Sequence, residues 1–167
     1  LMRQNMTEGT IPVEVFAKSA HSSATRVPGT AIFMASTAKG VPSALLHNIK
    51  HNKVLHERVV ILTVAIQDVP TVSEANRYDL KDMSNGFYRL TLRYGFLDET
   101  DVTGALKQFR IGDQPFEMMK TSFFLSRQTL LASAKPGMAI WREHLFAWML
   151  RNAASAMAFF RLPTNRV

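Results

Sequence analysis

Between Arg58 and Ile66 the chain reads RVVILTVAI, a run that is almost wholly apolar and rich in β-branched side chains. A strand that alternates polar and apolar residues can turn one face to water, but this one has no such face. Continuous runs of this kind suit the interior of a sheet covered on both sides, the usual setting of parallel strands. The run therefore requires a strand on each flank and helices above and below. Upstream, Thr30 to Ala35 is a second short apolar run suited to a buried strand. Gly40 and Pro42 punctuate a turn, and Ser43 to His51 follows as a helix with Pro42 near its first turn, where a missing amide donor does no harm. Strand, helix and central strand in that order predict a right-handed βαβ crossover with parallel pairing.

Downstream, Tyr78 to Met83 and Phe87 to Phe96 flank Ser84, Asn85 and Gly86. Asn-Gly supplies the positive backbone angles of a tight turn, so the segment reads as a hairpin. In its second strand Phe87, Arg89, Thr91 and Arg93 alternate with Tyr88, Leu90, Leu92 and Tyr94, which predicts one polar face lined by basic side chains. Asp98, Glu99 and Asp101 precede a helix over Val102 to Phe109, where negative charge suits the exposed amides. The cluster lacks the Gly and the later Glu of a calcium loop, so it reads as capping. A strand at Ser122 to Ser126 and a long apolar helix over Met138 to Phe160 complete the pattern. The expected class is α/β: a mixed sheet of about five strands with packed helices in the order β-α-β-β-β-α-β-α, with a ferredoxin-like two-layer arrangement as the alternative. Residues 1–28, Ser-rich and closed by Pro28 and Gly29, read as a mobile connector with Val13, Val15 and Phe16 resting on the domain surface.

Composition narrows the function classes. With no cysteine there is no disulfide, thiolate metal site or cysteine nucleophile, and a reducing cytoplasm fits. The most apolar stretch, Met138 to Phe160, is interrupted by Arg142, Glu143, His144 and Arg151, so a bilayer span is not expected and the piece reads as soluble. A glycine-rich phosphate loop, a GxSxG elbow, an HExxH pair and a CxxC pair are all missing from the sequence, and the expectation is that the chain is no enzyme. Of the net charge of +7, residues 39–58 carry +3, residues 59–119 carry −3 and residues 120–167 carry +6. Basic regions beside an acidic middle suit an anionic neighbour: lipid headgroups, a nucleotide or nucleic acid.

The densest polar set is His47, Asn48, Lys50, His51, Asn52, Lys53, His56 and Arg58. His47 and His51 are four residues apart, but zinc needs a third protein ligand and none is evident, so no metal site is expected. Two readings stand for Lys50, His51, Asn52, Lys53, His56 and Arg58: an anion site at the end of a parallel strand, or caps that close a helix C-terminus. In the last helix Trp141, Trp148 and Phe159 belong to an apolar surface wider than one sheet needs, which makes them candidates for a dimer or partner surface.

Five segments have a spelling that is not generic: RVPGTAIFMASTAKGVPSALLHNIKHNKVLHERVVILTV at Arg26 to Val64, NGFYRLTLRYGF at Asn85 to Phe96, TSFFLSRQTL at Thr121 to Leu130, MAIWREHLFAWMLRNAAS at Met138 to Ser155, and the closing LPTNRV. Together they resemble the cytosolic C-terminal region of the Kup family of potassium uptake permeases. The resemblance implies a regulatory and assembly domain on the cytoplasmic face of a bacterial inner membrane. Residues 1–28 would then lead from a membrane domain, 29–162 form the regulatory α/β unit, and 163–167 be part of a tail that continues further. Potassium and a coupled proton would be handled by the absent membrane part, with no cofactor in this piece. The implied partners are the transmembrane domain, a second copy as a homodimer, and anionic lipid headgroups, with no nucleic acid. Because some relatives respond to cyclic di-AMP, the resemblance makes the basic loop its candidate site. The reading from another class is a free-standing nucleotide or nucleic-acid binding module, with Phe87, Tyr88 and Tyr94 beside Arg89 and Arg93 as a stacking face.

Overall fold

A computed structural model describes residues 11–35, 39–112, 114–125 and residue 161. The elements run α1 (Val13–Ser23), β1 (Thr25–Met34), α2 (Ser43–Asn52), β2 (Val54–Gln67), α3 (Glu74–Arg77), β3 (Tyr78–Asp82), β4 (Phe87–Gly95), α4 (Val102–Gln108), β5 (Arg110–Ile111), β6 (Gln114–Pro115) and, after a 3-10 turn at Met118–Lys120, β7 (Thr121–Phe124). The expected long helix from Met138 lies outside the described residues, and with it Trp141, Trp148 and Phe159.

The sheet has five strands in the order β3-β4-β2-β1-β7. The RVVILTVAI run does take the centre: β2 pairs in parallel with β1 on one side and β4 on the other. β7 joins the far side of β1 in parallel, and β3 joins β4 antiparallel through the expected hairpin. This is the mixed α/β sheet the sequence predicts. The ferredoxin-like alternative fails because its two layers leave one sheet face bare, whereas here both faces are covered. Along β2 the side chains alternate between two cores. Val60 and Leu62 join Ile32, Leu90, Leu92 and Tyr94 beneath Val102 and Leu106 of α4. Val59 and Ile61 join Ala31, Phe33 and Phe87 beneath Leu45 of α2 and Val13, Ala17 and Ala20 of α1. A fully buried aliphatic side chain contributes roughly 1.5–3 kcal/mol, and Val59 to Leu62 are all at 0 % exposure, so β2 alone anchors both layers.

The connector reading of 1–28 changes at residue 13. Residues 13–23 form a helix whose Val13, Ala17 and Ala20 are buried, and Phe16 meets Phe87 edge-on at 6.1 Å. Of the three side chains expected to rest on the domain, Val13 and Phe16 pack against it and Val15 is exposed. Pro28 and Gly29 do not close a loop either; they lie inside β1, where the register with β2 shifts between Val27 and Thr30. A proline without an amide donor suits that irregularity. Gly29 has φ +106°, and a Cβ there would fall 2.7 Å from the Lys120 carbonyl oxygen.

Local chemistry sets the ends of the elements. At the hairpin Ser84, Asn85 and Gly86 all have positive φ, Met83 N–H donates to Phe87 O at 2.9 Å, and Ser84 N–H donates to the Asp82 carboxylate at 2.8 Å. The three acidic residues before α4 have separate roles. Asp101 is the cap, accepting from Gly104 N–H at 2.9 Å. Asp98 gathers Val72 N–H and Gly95 N–H, and these bonds, with Arg77 nearby, hold its carboxyl below the usual aspartate range. Glu99 pairs with Arg161 at 3.0 Å.

Candidate functional site

The basic set divides in the structure. Lys50, His51, Asn52 and Lys53 are exposed at the C-terminus of α2, on the side of the sheet that α1 and α2 cover. Arg58 has the same strand parity as Val60 and Leu62, and its guanidinium lies 5.9 Å from the Phe116 ring in the opposite core. His56 is half-buried between them in sequence, its ring 6.2 Å from that of Phe124.

At the end of α2 the capping geometry is explicit. Lys53 adopts the left-handed conformation at φ 54° and its N–H donates to Ile49 O. Asn48 Nδ2 donates to Val54 O at 2.9 Å, and Asn52 Nδ2 donates to Asn48 Oδ1 at 2.7 Å. Thr25 N–H donates to Lys53 O, so the cap also fixes the start of β1. The amides of Asn48 and Asn52 are thus committed to the turn, which leaves Lys50, His51 and Lys53 as the outward polar groups. His47 and His51 stack with ring centroids 5.9 Å apart. Among the described residues no group of three or more His, Cys, Asp or Glu is placed to hold a metal ion.

His56 carries a pH dependence. Burial holds its imidazole below the ordinary value of 6.5, and Nδ1 is buried with no hydrogen-bond partner among the described residues. The unfolded chain takes up a proton as the pH falls through about 6.5 while the folded chain resists it. The associated stability is therefore complete above that value and declines as the pH drops toward the folded pKa. Urea midpoints taken at pH 5 and pH 8 are expected to lie closer together in His56→Gln than in the parent chain. An unchanged gap would show that His56 does not resist protonation in the folded state.

A second polar site was not legible as a site in the sequence. A cleft of about 590 Å3 opens between the start of α1, the segment before α2 and the β3–β4 hairpin, and it includes Glu14, Gly40, Asp79, Lys81 and Arg89. Arg89 Nη2 donates to Gly40 O at 2.7 Å, while Nη1 is buried and has no partner among the described residues. Burial pushes this guanidinium below its ordinary range and the charge of Glu14 opposes the shift. The expected polar face of β4 is half-buried: Arg89 and Thr91 border the cleft, and Arg93 pairs with the exposed Asp79 at 3.0 Å. The stacking face proposed for nucleic acid loses two of its aromatics, since Phe87 and Tyr94 are buried and Tyr94 OH donates to Asp101 O. The burial of Tyr94 raises its phenol to about 12.

No helix among the described residues is long and apolar enough to cross a membrane. Comparison with known proteins gives a consistent result. Residues 28–167 match the model of the K+ potassium transporter C-terminal domain. The chain is 79% identical over its full length to a probable potassium transport system protein Kup 1 of Novosphingobium aromaticivorans, covering 26% of that protein. It is 67% identical over its full length to the corresponding Kup protein of Erythrobacter litoralis, covering 27% of it, and 54% identical to that of Zymomonas mobilis, covering 26%. The chain thus spans about a quarter of the length of these curated relatives. No solved structure matches it.

Proposed function

The chain belongs to the K+ potassium transporter C-terminal domain family, and on that premise we propose that it is the cytoplasmic regulatory and assembly domain of a secondary, proton-coupled potassium uptake transporter. The observation that carries the reading is full-length identity to proteins named as potassium transport systems, of which the chain makes up only a quarter. In this reading potassium and protons cross in the remaining three quarters, at the bacterial inner membrane. The α/β unit then acts by contacting one conformation of the membrane part more favourably than another, because a domain indifferent to those states cannot shift their balance.

The test is a transplant. The Novosphingobium relative, with its matching region replaced by this chain, is expected to sustain potassium-dependent growth of a strain lacking other uptake systems. Deleting the region is expected to change the uptake rate or its dependence on potassium. A deletion that leaves both unaltered in protein delivered to the membrane in equal amount would remove the regulatory role. Proton uptake accompanying potassium checks the coupling.

Cyclic di-AMP belongs to this proposal as a ligand, with Lys50, His51 and Lys53 as its outward cations and the same groups available to anionic headgroups. Calorimetry on the parent chain and on Lys50→Ala/Lys53→Ala decides: equal heats in the two would detach the ligand from α2, and no heat in the parent would remove it. Pairing of two copies is the remaining element of the reading.

A further inference from the structure

We propose that β3 is the edge through which two copies pair, antiparallel and centred on Leu80, extending the sheet across a two-fold axis. The inference rests on the homodimer reading above and supplies its surface. Among the described residues β3 stands at the end of the strand order, with β4 as its single neighbour in the sheet. Asp79, Leu80, Lys81 and Asp82 are exposed, and the register with β4 runs without a shift. Proline and bulges, two common means of blunting an edge, are missing from it.

The backbone fixes which groups face outward. Antiparallel neighbours alternate between pairs that exchange both hydrogen bonds and pairs that exchange none. Met83 donates to Phe87, so in the same register Lys81 faces Arg89 and Asp79 faces Thr91 as exchanging pairs. The N–H and C=O groups of Tyr78, Leu80 and Asp82 therefore point away from β4. A second copy centred on Leu80 sets Leu80 opposite Leu80, Tyr78 opposite Asp82 and Asp82 opposite Tyr78, which are the residues whose backbone groups point away from β4. The two-fold symmetry makes one surface serve both partners.

The side chains choose the same register. Centred on Leu80, Asp79 of each copy lies opposite Lys81 of the other, and opposite charges directly across a strand pair are favourable. A slip of two residues one way sets Asp79 against Asp79, and the other way Lys81 against Lys81, both repulsive. A slip of one residue brings outward groups against inward ones. An edge lysine ordinarily deters pairing; here it is matched in one register alone. Asp79 already accepts from Arg93 at 3.0 Å, which orients its carboxylate on that face.

The chain has no cysteine, so a single substitution supplies its only thiol. Facing residues of a hydrogen-bonded pair have Cα atoms about 5.5 Å apart, within disulfide range. Under mild oxidation Leu80→Cys is expected to give a covalent dimer at least tenfold faster than Asp79→Cys or Lys81→Cys alone, because each of these sits two residues off its own copy. An equal mixture of Asp79→Cys and Lys81→Cys is expected to yield mixed dimers well above the random half. Equal rates for all three, or free Leu80→Cys thiols, would overturn the edge. Light scattering on the unsubstituted chain then separates the two claims. Dimers combined with free Leu80→Cys thiols leave the pairing of copies standing and place it elsewhere, while monomers with free thiols remove both.

Discussion

Gly86→Ala is expected to lower the stability of the chain by about 3 kcal/mol, roughly half from backbone strain and half from steric overlap. Gly86 has φ +79°, where an L side chain costs about 1–2 kcal/mol, and a Cβ there would lie 2.4 Å from the Glu57 carbonyl oxygen. That oxygen belongs to the backbone of β2, the strand that anchors both cores, so it cannot swing aside as a side chain does. Val59 N–H also donates to Gly86 O at 2.8 Å, and Arg26 spans the same place by donating to His56 O and Asn85 O. The internal control is Gly112, with φ +60° and no atom of the described residues within 4 Å of its Cβ position. Gly112→Ala is expected to cost only the backbone part, about 1 kcal/mol. Urea unfolding of the two variants measures the difference. Equal losses would show that the hairpin does not press on β2 as the structure has it.

What could be read from the sequence is what local chemistry decides. An apolar β-branched run has one setting, the centre of a sheet, and β2 takes it. Asn85-Gly86 marked the hairpin and Asp101 the start of α4, because both act on backbone groups within a few residues. α1 was missed for a physical reason. Its buried stripe is Val13, Ala17 and Ala20, at helical spacing but mostly too small to stand out among Lys18, Ser19, Ser22 and Ser23. Small residues carry little hydrophobic signal, yet Ala17 and Ala20 are buried against the sheet beside Phe16, whose ring meets Phe87. The polar sites are harder to read because nearness along the chain does not fix convergence in space. Lys53 and Arg58 are five residues apart, but the turn and the alternation of β2 send them to different faces of the sheet. Conversely, Arg89 and Gly40 meet across forty-nine residues, a pairing that only the strand order creates.

The same strand order makes Phe33→Ala the most costly core change, expected at about 3–5 kcal/mol. Phe33 is at 0 % exposure on β1, level with Ile61 on one side and Phe124 on the other, and its ring stacks on that of Phe124 at 4.5 Å and 12°. Truncation opens a cavity between the sheet face and the helices α1 and α2 that cover it, and the hydrogen bonds of β1 to β2 and β7 hold the sheet in place, so collapse does not readily fill it and the cost stays near the top of the range. In a domain whose whole stability is of the order of 5–15 kcal/mol, that loss takes a large share of the folded population. It corresponds to a fall in melting temperature of roughly 10 °C at this size. Phe33→Leu retains most of the volume and is expected to lose less than half as much. Phe96→Ala removes the same ring from a site at 60% exposure and is expected to stay within about 0.5 kcal/mol of the parent. Calorimetric melting of the three ranks them, and a Phe33→Ala loss no larger than that of Phe96→Ala would mean that β1 does not carry its aromatic residue into the core beneath α1 and α2.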